Sequence, residues 1–130
     1  MSNMNKAVQS VIELHELIEN VFTGHKPDDL NKLLESFDSN FKMVTIGGDC
    51  IGLAQVNALF SNNIGAKPSL KITPDNIEPI LEVGEYCWLQ YRELHELDDS
   101  RLLRTSTVCI RIQDEQCFWT YLHETPIVKK

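Results

Sequence analysis

The chain of 130 residues has no run of about 18 apolar side chains, so no helix of it is expected to span a membrane. Its opening, MSNMNKAVQS, lacks the basic stretch followed by an apolar one that marks a protein for export. Positive charge is also scarce: 12 Lys and Arg stand against 19 Asp and Glu, a formal net charge of −7. Binding nucleic acid needs a basic patch that neutralises phosphates, so nucleic acid is not an expected partner. The four cysteines (Cys50, Cys87, Cys109 and Cys117) contain no CxxC pair, and no HExxH occurs anywhere. The cysteines therefore read as small buried hydrophobes in a reducing compartment, which places the protein in the cytoplasm, and neither a metal site nor another cofactor is expected. Repeats, low-complexity tracts and linkers are lacking too, and residues 1–130 read as one domain of ordinary size.

What is there begins with helices. Val8, Val11, Leu14, Ile18, Val21 and Phe22 form a helical stripe over residues 4–23, with Gly24 as its stop. KPDDLNKLLESF predicts a second helix with Pro27 in its first turn and Leu30, Leu33, Leu34 and Phe37 on its apolar face. FKMVTIGG (41–48) alternates as a strand, and GLAQVNALFSNNIG predicts a third helix. From residue 69 onward the pattern is almost all strand. The first of these is interrupted by Pro74 and Pro79 and so reads as bent, bulged or at an edge. EYCWLQYRELHEL, RLLRTSTVCIRI and QCFWTYLHETPI then form an antiparallel meander. Helices first and strands after predict an α+β domain with the helices on one face of a sheet.

The register of that meander carries the functional reading. A turn at Asp98-Asp99-Ser100 sets Arg92 opposite Ser106, Leu94 opposite Arg104 and Trp88 opposite Ile110. Even-numbered residues then share the inner face, and Arg92 and Arg104 converge at one end of it beside Ser106. Two guanidinium groups held close repel, and partial burial adds to that cost unless an anion lies between them. Arginine suits bidentate binding of carboxylate or phosphate. On the last strand a two-residue loop at Asp114-Glu115 brings His123 inward with Trp119, whereas a one-residue slip brings Leu122 and Glu124 inward instead. The residues leave both open: His123 as a titratable neighbour of the arginines, or Glu124 as a built-in counter-ion. His15 falls in the stripe of the first helix, either as a hydrogen-bonded core histidine or as a pocket lining.

YRELHEL followed by RTS, the terminal Trp119, His123 and Glu124, and the passage GGDCIGLAQVNALF together resemble the nuclear-transport-factor-2-like superfamily over about residues 5–126. Within it they are most similar to the association domain of calcium/calmodulin-dependent protein kinase II. The resemblance implies a cone-shaped, cystatin-like roll: about three N-terminal helices on a strongly curved, mostly antiparallel sheet. It implies a pocket between sheet and helices with arginines at its floor, which carries over onto Arg92 and Arg104. It also implies homodimers through the outer face of the sheet, here Leu103, Thr105, Thr107 and Cys109. Where the ketosteroid-isomerase branch has its catalytic aspartate, tyrosine and second acid, this chain has Thr45, Leu17 and Val108. None of these performs that proton transfer, so steroid-type isomerisation is not expected.

Three functions follow as expectations. The first is a homodimeric pocket protein that binds a small anionic organic molecule, carboxylate or phosphate, through Arg92, Arg104, Ser106, Trp88 and His15. The second is a cofactor-independent isomerase, dehydratase or cyclase of the SnoaL-like kind, with His123 or Glu124 as acid/base. The third is an oligomeric assembly module.

Overall fold

Helix α1 (Asn3–Thr23) begins where Ser2 accepts a hydrogen bond from the Asn5 N–H at 3.1 Å, which satisfies one of the free donors of the first turn. It ends at Gly24, whose left-handed backbone (φ 77°) closes the last turn onto the Val21 carbonyl. The computed structural model describes residues 2–127. Along α1, Ala7, Val11, Leu14 and His15 are buried on one stripe that faces the sheet. Helix α2 (Asp29–Glu35) is shorter than the pattern suggests. Pro27 lies just before its Asp28 cap instead of in its first turn, and Phe37 already begins strand β1 (Phe37–Val44). A three-residue strand β2 (Cys50–Gly52) turns back on β1 and leads into α3 (Leu53–Ser61). The remaining strands are β3 (Lys71–Val83), β4 (Tyr86–Leu97), β5 (Ser100–Gln113) and β6 (Gln116–Pro126).

These strands form one mixed sheet in the order β2-β1-β6-β5-β4-β3, antiparallel throughout except where β1 runs parallel to β6. The α+β reading and the three helices hold, but the strongly curved cone does not. The sheet is not strongly curled, and its strands lie in one open row with β2 and β3 as separate edges. The reason lies in where the disrupting residues fall. Pro74 and Pro79 sit on edge strand β3, where register shifts follow Asp75 and Pro79, so a missing donor there distorts one strand without rolling the sheet. All four cysteines are free. Cys87 and Cys109 are buried as expected, whereas Cys50 is exposed and Cys117 half-buried.

Register decides which side chains meet. The β4–β5 hairpin turns on two residues, Asp98 and Asp99, with Leu97 paired to Ser100 and Asp98 at φ 54°. Ser100 therefore belongs to the strand and not to the turn, and every β4 residue faces a partner one position away from the expected one. Arg92 pairs with Thr105, Glu93 with Arg104 and Tyr91 with Ser106. Odd residues of β4 and even residues of β5 share the inner face, so Cys87, Leu89, Tyr91 and Glu93 are buried there with Ser106, Val108 and Ile110.

On β6 both alternatives left open by the sequence are realised, one at each end. Ile110 pairs with Trp119 but Cys109 pairs with Tyr121, so Thr120 is an extra residue in a β-bulge, its hydroxyl donating to the Cys109 carbonyl at 3.0 Å. Before the bulge Trp119 points inward; after it Leu122 and Glu124 do, and His123 points out.

Candidate functional site

Four inward side chains from four elements meet at the end of the inner face nearest the β4–β5 hairpin: His15 of α1, Glu93 of β4, Arg104 of β5 and Glu124 of β6. His15 is fixed first. Its Nδ1–H donates to the Val11 carbonyl at 2.7 Å, and its ring meets the edges of Tyr91 and Trp119. A carbonyl only accepts, so Nδ1 carries a proton, and Nε2 is left facing the Glu93 carboxylate in an ion pair. Burial alone pushes the His15 pKa down, but the charge and hydrogen bond of Glu93 outweigh it, and the imidazole pKa is raised.

Glu93 is the hub. It is 1 % exposed, and burial by itself disfavours its charge, yet His15 and His95 hold its pKa well below the usual carboxylate range. Its other oxygen, Oε1, lies 3.2 Å from His95 Nε2 and 3.5 Å from Arg104 Nε. Arg104 reaches Glu124 as well, Nη1 donating to Oε2 at 3.1 Å. Glu124 behaves in the opposite way to Glu93. Burial and the neighbouring Glu93 charge push its pKa up to about 7, only partly offset by Arg104. The two carboxyls lie within hydrogen-bonding reach of each other, an arrangement that needs a proton on one of them. That proton belongs to Glu124.

This cluster is the polar end of a cavity of about 110 Å³ between sheet and helices. Leu14 and Ile18 of α1, Phe60 of α3, and Met43 and Leu122 of the sheet form apolar walls. A cavity of this size holds roughly four to six heavy atoms. Inside it Arg104 is only partly satisfied: its Nε is buried with no hydrogen-bond acceptor in good geometry.

Of the expected site residues, His15, Arg104 and Glu124 line this cavity. Ser106 lies deeper, fully buried between Tyr91 and Glu124 on the neighbouring strands, and its hydroxyl has no partner. Arg92 and Trp88 are even-numbered on β4 and lie on the outer face, Trp88 against Tyr121 with ring centroids 6.1 Å apart. The two arginines therefore do not converge. His123 is exposed on that outer face, where it meets the Tyr121 hydroxyl at 3.2 Å, and it does not reach the cavity. The residues missed were Glu93, one place along the strand from Arg92, and His95, the next residue on the same face. Among the described residues no three His, Cys, Asp or Glu side chains are grouped so as to hold a metal ion.

No family model and no curated protein matches the chain. Solved structures do. An NTF-2 like protein of unknown function from Pseudomonas aeruginosa is 27% identical, with a TM-score of 0.90 over 95% of this chain and 99% of that one. An uncharacterised protein with a cystatin-like fold from Caulobacter vibrioides is 14% identical, with a TM-score of 0.72 over 98% of this chain and 92% of that one. The association domain of C. elegans CaMKII is 12% identical, with a TM-score of 0.70 over 96% of this chain and 99% of that one, a likeness of fold. With its helix–helix–strand–helix–meander order and these matches along almost its whole length, the chain has the fold of the nuclear-transport-factor-2-like superfamily.

Proposed function

We propose that the protein binds a small, largely apolar monocarboxylate in this cavity, with the carboxylate on Arg104. The observation that carries the reading is the buried Nε of Arg104, which faces Glu93 Oε1 at 3.5 Å but makes no hydrogen bond, at the polar end of an apolar cavity. Charge counting favours a single negative charge. With Glu124 protonated, His15 and Arg104 contribute two positive charges and Glu93 one negative, so a monoanion balances the site and a phosphate dianion overshoots it. The test is a panel of two- to four-carbon monocarboxylates in calorimetry, each beside its neutral amide. Saturable binding of an acid, weakened at least tenfold in Arg104→Lys, supports the reading, because lysine keeps the charge and loses the fork. No binding of any acid between pH 5 and 8, or equal binding of the amide, refutes it.

Glu124 favours a second reading, in which the pocket turns its ligand over by proton transfer. A carboxyl with a pKa of about 7 at a cavity is suited to act as general acid or base. A bell-shaped pH–rate profile on any substrate found, lost in Glu124→Ala, is the result this reading requires. His123 has no part in it.

The outer face of the sheet supports pairing with a second copy of the chain. Trp88, Leu94, Leu103 and Tyr121 lie there only half-buried, next to the exposed Leu81 and Tyr86 of the β3–β4 end. Light scattering that returns the 14.9 kDa monomer at micromolar concentration contradicts the pairing.

A further inference from the structure

We propose that the cavity takes up its carboxylate together with one proton, because Glu124 is an internal competitor for Arg104. This rests on the reading of the cavity as a monocarboxylate site. Above its pKa of about 7 the Glu124 of the empty site is ionised and is the counter-ion of Arg104, whose Nη1 donates to it at 3.1 Å. A second carboxylate arriving at the same guanidinium would face two carboxylates, Glu93 and Glu124, in a space of about 110 Å³. Glu93 cannot give way by taking a proton, since His15, His95 and Arg104 all hold its charge. Glu124 can. Protonated, it stops competing and becomes a donor, able to share its O–H with Glu93 or with the ligand. The balance is simple: the ionised site, one ligand carboxylate and one proton from solvent give the neutral Glu124 beside the bound carboxylate, with no other bond changed.

The groups that face Glu124 are few. His15 comes from α1, Tyr91 and Glu93 from β4, and Arg104 from β5, with His95 behind Glu93. Strand β1 and helix α3 contribute apolar side chains to the cavity, Met43 and Phe60 among them. A guanidinium keeps its charge throughout this pH range, and the Tyr91 hydroxyl is pushed further up by burial. The two imidazoles, His15 and His95, which both contact Glu93 and line the cavity, are therefore the competing origins of a pH effect, and a variant separates them from Glu124.

The experiment is calorimetry of butyrate binding, with butyramide as control, in phosphate and in Tris from pH 6 to 8.5. The two buffers differ in ionisation heat, so the difference in observed heat counts protons taken up. Wild type is expected to take up close to one proton per butyrate at pH 8.5 and little at pH 6. Its affinity is expected to fall roughly twentyfold between pH 6.5 and 8.5, from a group that titrates near 7. Glu124→Gln is expected to bind butyrate with nearly the same affinity across that range and with no proton uptake. Binding by wild type without proton uptake at pH 8.5 overturns the inference and leaves the monocarboxylate site standing. So does a Glu124→Gln protein, folded by circular dichroism, that keeps the wild-type pH slope, since that assigns the proton to one of the imidazoles, His15 or His95. Absence of wild-type binding at every pH removes the site itself.

Discussion

Replacing Glu93 by glutamine keeps the shape of the hub and removes its charge. His15 and Arg104 are then buried together with Glu124 as their one nearby carboxyl, which loses the Glu93 charge that helps hold its proton and so offsets part of the loss by ionising more readily. Removing one partner from a buried ion pair costs about 3–5 kcal/mol. Against a typical domain stability of about 5–15 kcal/mol, that is a large share. For a chain of this length it corresponds to a fall in melting temperature of about 10–20 °C. The loss has a pH signature. In the wild type the raised His15 pKa means that the His15–Glu93 pair contributes fully below pH 6.5 and is lost as pH rises through the raised value. In Glu93→Gln burial dominates and the His15 pKa falls below 6.5, so the variant regains stability as pH rises and the imidazole neutralises. Urea unfolding at pH 6 and pH 8 measures both effects. A deficit of several kcal/mol at pH 6 that narrows by pH 8 is expected. A variant within about 0.5 kcal/mol of wild type at both pH values, the range of an ordinary surface substitution, refutes the reasoning, as does a deficit that widens with pH.

Glu124 has the same sign as His15. Its folded pKa of about 7 lies above the usual 4.5, so the folded state binds the extra proton and wild-type stability falls by ~3 kcal/mol as pH rises through that window. Glu124→Gln is expected to remove that slope in urea titrations from pH 4.5 to 7.5, and an unchanged slope contradicts the assignment. The β5–β6 turn places Asp114 and Glu115 at φ 50° and 70°, a conformation suited to Asn-Gly. Asp114→Asn with Glu115→Gly is expected to raise the melting temperature by a few degrees, and calorimetry showing a fall contradicts it. Gly24→Ala places a methyl at φ 77° and 3.2 Å from the Gly65 Cα, so a loss of about 1–2 kcal/mol is expected in chemical unfolding.

The element order and the inward positions of Arg104 and Ser106 could be read from the sequence, because they follow from local periodicity and from alternation along a single strand. What failed was the relation between strands. Counting Ser100 in the turn shifted β4 by one place and put Arg92 and Trp88 inside in place of Glu93 and Cys87. A contrary signal was present: Cys87, Leu89 and Tyr91 are more apolar as a set than Trp88, Gln90 and Arg92, which favours odd residues for the core. A charged Glu93 on that face hid the pattern, since burial of a carboxylate makes sense only once His15, far away in the sequence on α1, is known to lie beside it. The β6 bulge left no mark in the residues, for Thr120 fits either register, so the choice between His123 and Glu124 required coordinates. The prolines suggested a bent strand and the family likeness a rolled sheet; the prolines distort only an edge.

The account rests on one proton, held by Glu124 at the cavity's polar end while Glu93 stays ionised. Carbon-13 NMR titration of the glutamate side-chain carboxyls, with Glu124 assigned from the Glu124→Gln spectrum, measures it directly. A midpoint near 7 for Glu124, with Glu93 still ionised well below pH 4.5, is the predicted result. A Glu124 midpoint at the ordinary 4.5 would contradict the account.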